Sequence, residues 1–302
     1  GNYFLNVISS RKFVHFSLSG LNLKKHMKPI FYLVVVNLAI EIYSMVDITM
    51  LGLMCKKEVV TYYAYGIKIQ KILLQIINTF TVVLVPRIAL YYHEGKLKEF
   101  NLLLTKTLSI VLMLSLPIIV GISFIGTPFI CKIYGDSYIR SAEVLKILSL
   151  AVCISPIGYL LGSRVMLVTG QENKMIFAVG AGAIVNVIGN GLMIPVLAEN
   201  GAAIASILSE IVVAIVYIML SHCYFNLDYK RLIKTVVKIF LSLLIMAIIL
   251  FIFKFLNSNF FVYILQIPIA ILVYFGGLLI MKEKIVYSYF KKMVGRLVKY
   301  EK

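Results

Sequence analysis

The chain alternates long apolar runs with short polar breaks. Eight runs, at 29–54, 61–85, 102–125, 144–169, 175–197, 202–220, 232–255 and 260–281, reach the roughly 20 residues that a helix needs to cross the hydrocarbon of a bilayer. Stretches such as 241–253 are apolar on every side. That excludes the alternating apolar and polar positions of membrane barrel strands. The pattern predicts an all-α integral membrane protein with about eight transmembrane helices. The breaks are too short to hold a sizeable catalytic domain outside the membrane.

Composition sharpens this picture. Of 302 residues, 61% are hydrophobic and only 14% charged, with a mean hydropathy of +0.96. A soluble domain of ordinary composition carries about 25% charged residues. The net charge of +17 would suggest nucleic acid in a soluble protein. Here the positive residues fall at the ends of apolar runs, which points to the cytoplasmic rim of a membrane protein and away from nucleic acid. Only Lys56, Lys57, Lys68, Lys71, Lys132, Arg140, Lys146 and Lys254 of the 30 Lys and Arg fall on the opposite side. The bias predicts cytoplasmic termini, as an even number of crossings requires.

The cysteines Cys55, Cys131, Cys153 and Cys223 and the histidines His15, His26, His93 and His222 show no metal-ligand or disulfide spacing. There is no nucleotide-binding loop and no hydrolase or metalloprotease motif. The first residue is Gly1, and residues 1–10 read as the tail of an earlier span, so the chain is expected to be a fragment. The segment 282–302 carries Ile285, Tyr289, Met293 and Leu297 between lysines. It reads as an amphipathic helix lying on anionic headgroups or as a solvated tail.

Polar side chains inside the spans are the candidate functional residues, because an ionisable group in the hydrocarbon costs about 2.5–3.5 kcal/mol on insertion scales. Lys68, Lys71, Gln75 and Asn78 fall within roughly an 80° arc of one helix face, and Asn37, Glu41, Ser44 and Asp47 within roughly 120° of another. At 1.5 Å per residue, Asp47 and Lys68 lie at a similar depth, about 10 Å from the outer end. Antiparallel neighbours would bring Asp47 to Lys68, and Glu41 to Lys71 or Gln75. The two stripes form either a charged cavity wall for an anionic substrate or ion pairs that fix helix packing. Asn186 with Asn190, and Ser206 with Glu210, are spaced i, i+4 on the fifth and sixth spans. Glu210 and Asn186 are candidates for ion coupling, and Arg164 for the cavity wall or for snorkelling. Gly158 and Gly162 permit close helix contact, and Pro117 and Pro156 permit kinks.

Several segments are similar to a known family. VDITMLG (46–52), TYYAYGIKI (61–69), VPRIA (85–89), IYGDSYIRSAEVLKIL (133–148), VTGQENK (168–174) and NGAAIASILSE (200–210) resemble, in order and spacing, the polysaccharide flippases of the MOP superfamily, which have a MATE-like fold. The resemblance implies two six-helix lobes around a central cavity, followed by two further helices. Residues 1–27 would then be a cytoplasmic connector, 28–222 the second lobe, and 223–302 the extra pair with a basic tail. The first lobe is missing from the chain.

The implied activity is export of an undecaprenyl-diphosphate-linked oligosaccharide across a bacterial cytoplasmic membrane by alternating access. The product would serve O-antigen, capsule or lipopolysaccharide biosynthesis. No cofactor is implied, although a proton or sodium gradient could drive the cycle. The expected partners are the lipid-linked oligosaccharide, membrane lipids, the missing lobe, and the polymerase and chain-length machinery. The alternatives are a lipid II flippase or a multidrug or cation antiporter of the same superfamily, and more remotely a membrane polysaccharide polymerase or glycosyltransferase.

Overall fold

The computed structural model describes residues 23–253 and 260–291. The segment 1–10, Met293, Leu297 and the side chain of Ser44 lie outside the described residues. The described chain is helical nearly throughout, with α1 (Leu23–Met54), α2 (Lys57–His93) and α3 (Leu97–Tyr134). The next crossing is assembled from short pieces: α4 (Ile139–Leu148), α5 (Ala151–Gly158), a π-helical turn (Tyr159–Arg164) and α6 (Val165–Val168). Then follow α7 (Met175–Ser221), α8 (Tyr229–Phe253), α9 (Phe260–Ile280) and the short α10 (Lys284–Lys291).

Continuous as α7 looks, it is two crossings. Ala198 has φ 48° and ψ −126°, a conformation that reverses the chain. The arms then run antiparallel, since Ser209 Oγ donates to the Gly182 carbonyl at 2.9 Å across 27 residues. Gly189 faces Ala205, and Gly201 sits against the backbone of Met193, where a Cβ would collide. Small residues let two backbones approach this closely in a bilayer. The reversal falls in the polar break between 197 and 202, where the sequence divides two spans. Six described helices are long and apolar enough to cross a membrane, and the bent pair α9 and α10 adds one more. Counting both arms of α7 gives the eight crossings that the hydrophobic pattern predicts.

The six crossings from α1 to α7 pack on one another. The α4–α6 crossing is the most enclosed of the described spans. It packs against α7 through Gly158 on Ala214 and Gly162 on Tyr217. The main partner of α1 is α7, while α8 and α9 pack on each other and on α3. Pro117 explains one detail of that docking. It has no N–H for the carbonyl of Met113, four residues earlier. A buried carbonyl needs a donor, and the hydroxyl of buried Tyr274 in α9 supplies it at 2.9 Å. The outward faces carry large exposed apolar side chains, among them Leu53, Val83, Leu192, Val196, Leu272 and Ile280. Lipid covers such a surface without penalty.

Candidate functional site

Lys68 and Lys71 stand on the fourth turn of α2, both exposed. Together with Gln75, Thr79, Ile72 and Ile76 they line an open recess of about 530 Å³. Among the described residues the ion pairs are Arg140 with Glu199 and Lys96 with Glu94, so neither lysine is neutralised by a carboxylate. Asn78 is half-buried and does not line the recess, and its carbonyl accepts from Thr81 at 2.8 Å. Beside the recess, sharing Ile72 and Ile76 as its wall, lies an apolar groove of about 740 Å³ between α2, α3 and α9. Its lining includes Ile69, Phe80, Ile118, Phe129 and Tyr274.

Asp47 is placed differently from the expectation of a cavity-wall carboxylate paired with Lys68. It is 3% exposed and held by neutral donors from α2 and from both arms of α7. Tyr63 OH and Ser206 Oγ each donate to Oδ2 at 2.6 Å. Asn186 and Asn190 donate to Oδ1 at 2.9 and 2.7 Å. Hydrogen bonds to a charged group contribute about 1.5–3 kcal/mol each. Four of them outweigh the insertion cost of about 2.5–3.5 kcal/mol, so the carboxylate needs no lysine. The expected pairing of Glu41 with Lys71 is likewise not formed. Glu41 and Asn37 are exposed on α1, and Asn37 bonds back to the Leu33 carbonyl at 2.8 Å.

Glu210 and Arg164 belong to another interior group. Glu210 accepts from Ser155 Oγ at 2.6 Å. Tyr159, at the start of the π-helical turn, has its ring centre 5.9 Å from that of Tyr217 on α7. Arg164 closes the π-helical turn, and its Nε is buried without a hydrogen-bond partner. Such turns recur at functional positions in helices.

The family model described as "Polysaccharide biosynthesis protein" matches residues 3–143. A solved structure titled "Lipid II flippase MurJ, inward closed conformation" superposes with a TM-score of 0.69 at 21% identity. The superposition covers 96% of this chain and 59% of that one. The chain thus spans about three fifths of the MurJ chain that it matches. The search of curated proteins gives no match. The chain resembles polysaccharide biosynthesis proteins over residues 3–143 and shares the fold of the MurJ structure. The likeness covers the first half in sequence and nearly all of it in fold, and the chain is a multi-pass membrane protein.

Sequence reasoning singled out Asp47, Asn186, Asn190 and Ser206 but assigned them to different roles. It missed Tyr63 altogether, although TYYAYG was among the segments of resemblance. The signal available was Asp47, the Asn186–Asn190 pair and Ser206 on separate apolar spans, each in need of partners. It also missed a pin close to this cluster. Arg140 Nη2 donates to Glu199 Oε2 at 2.8 Å, next to the reversal at Ala198, while its guanidinium covers the Tyr62 ring at 5.2 Å.

Proposed function

We propose that the protein is a flippase for a lipid-linked oligosaccharide, with undecaprenyl diphosphate as carrier, in bacterial surface polysaccharide biosynthesis. The observation that carries this reading is the shared wall of Ile72 and Ile76 between a cationic recess and an apolar groove. An amphiphile with an anionic head and a long hydrocarbon tail matches both halves at once. Lys68 and Lys71 pair with the diphosphate, with Gln75 as a hydrogen-bonding neighbour. The tail follows α2, α3 and α9. In the bilayer that tail is already in hydrocarbon, so the groove contributes direction more than affinity. Affinity and selectivity then reside in the head.

Translocation makes and breaks no covalent bond, so the protein works as a transporter, not an enzyme. A second lobe, paired with this one around a common cavity, rocks to open the cavity to each side in turn. The Asp47 cluster, which includes Asn186, and the Glu210 group are the sites where a proton or a small cation couples to that motion. The excess of basic residues at one end supports cytoplasmic termini. The lipid II reading is the nearest alternative, because its head is anionic too. O-antigen and capsule substrates differ from it in the glycan, for which Arg164 is a further candidate contact. A cation antiporter would instead depend on the carboxylates and dispense with the lysine pair.

The experiment is glycan export in a cell that lacks its own flippase, using the full-length protein that contains this chain. Lys68→Gln with Lys71→Gln should abolish export at normal protein level, while Lys→Arg at both positions should keep part of it. Unimpaired export by the glutamine pair would refute the cationic head site.

A further inference from the structure

The chain turns through 98° between α9 and α10, and the corner is built rather than frayed. Lys282 takes φ +50°, and the buried Glu283 folds back to cap α10. Its Oε2 accepts from the backbone N–H of Ile285 at 2.7 Å and of Val286 at 3.1 Å. Thr235 of α8 donates to its Oε1 at 3.4 Å, and Lys238 Nζ donates to the Lys282 carbonyl at 3.0 Å. Ile285 is buried in the cluster formed by α3, α8 and α9. The direction of α10, at right angles to the spans, is therefore set by α8.

What α10 presents outward is mixed. Tyr287, Tyr289 and Phe290 are exposed, and so are Lys284 and Lys291. Lys106 of α3 stands 5.7 Å from the centre of the Tyr289 ring, and on the adjoining turns of α8 Lys234 is exposed and Lys238 half-buried. The acidic groups at this end do not cancel that charge. Glu283 is consumed inside the corner, Asp228 caps α8 through the Arg231 N–H at 3.0 Å, and Glu94 is paired with Lys96. Glu99 remains exposed on the first turn of α3. Aromatic rings beside lysines on a helix lying across the spans suit the boundary between headgroups and acyl chains.

We propose that α10 and the lysines around its corner form a docking surface for anionic phospholipid headgroups. The phosphate meets Lys284, Lys291 and Lys106, and the aromatic rings sit at the top of the acyl chains. The charge complementarity favours an anionic glycerophospholipid over a zwitterionic one, whose own ammonium the lysines would repel.

The chain has no tryptophan, so Phe290→Trp in the full chain gives a single reporter at an exposed position. The protein is placed in nanodiscs of phosphatidylcholine with a minority of phosphatidylglycerol, in which only one of the two lipids carries brominated acyl chains. Per lipid molecule, brominated phosphatidylglycerol should quench the reporter at least about two-fold more than brominated phosphatidylcholine. The preference should shrink at about 0.5 M salt, where screening shortens to a few Å. It should also shrink with Lys284→Gln plus Lys291→Gln, both at exposed positions. Equal quenching by the two lipids would overturn the proposal. So would a water-like emission that neither lipid quenches, since the helix would then lie off the membrane.

Discussion

Two polar regions of this lobe lie in adjacent helices and have opposite designs. Asp47 is enclosed by Tyr63, Asn186, Asn190 and Ser206. Lys68 and Lys71, only one to two turns beyond Tyr63 on α2, open into a recess with no carboxylate partner. The buried acid has its hydrogen-bond capacity filled from within, so its contribution is to hold α1, α2 and α7 together. The lysines keep theirs unspent, as suits groups whose partner arrives from outside. A single charge count over the spans does not separate these roles, whereas burial and partners do.

The largest effect should come from emptying the closed site. Asp47→Ala leaves the donors of Tyr63, Ser206, Asn186 and Asn190 without an acceptor, at about 1–3 kcal/mol for each one that stays buried and unsatisfied. Stability should fall by about 3 kcal/mol or more, read as a lowered Tm and a lower protein level in membranes. Asp47→Asn keeps the shape and removes the charge. It should fold near normally and lose ion dependence of transport. A stable Asp47→Ala protein would show that the cluster does not hold the helices.

A double-mutant cycle between the regions comes next. Had Asp47 and Lys68 formed an ion pair, Asp47→Asn with Lys68→Gln would rescue the single variants. Without contact between them, the two effects on Tm should add within about 0.3–0.5 kcal/mol. A coupling well above that would contradict the separation of the sites.

Tyr274→Phe applies the logic of the closed site to a single bond. It removes the donor to the Met113 carbonyl that Pro117 leaves free. The loss should be about 1–2 kcal/mol, seen as a lower Tm. Much of it should return with Pro117→Ala, which restores a backbone donor within α3. Loss that Pro117→Ala does not repair would place the role of Tyr274 in packing alone. The smallest expected effect on stability belongs to Lys68→Gln, whose side chain is exposed and unpaired.

The spans, their number and the break between the two arms of α7 were legible in the sequence. Apolar length and polar interruption are local properties, and the bilayer imposes them on every segment. The flippase resemblance was legible too, in the succession of short segments from VDITMLG to NGAAIASILSE. Partner choice was not. Depth matching placed Asp47 beside Lys68 because both lie about 10 Å from one end by rise per residue. Rotation about the helix axes decided otherwise, turning Asp47 toward α7 and Lys68 away from it. A residue count measures height along an axis, and the angle about that axis is set by packing. The apolar groove was invisible for the same reason, since α9, distant in sequence, closes it against α2 and α3.

The central claim is that the open lysines bind the head of a carrier lipid whose tail follows the groove. The most direct measurement is the affinity of the purified full-length protein for undecaprenyl diphosphate and for undecaprenol, with and without Lys68→Gln plus Lys71→Gln. The account predicts that the diphosphate binds the unaltered protein at least about ten-fold more tightly than the alcohol, two charge-assisted pairs of this kind amounting to more than about 1.4 kcal/mol. The double substitution should erase that difference and leave the alcohol unchanged. A preference for the diphosphate that survives the loss of both lysines would contradict it.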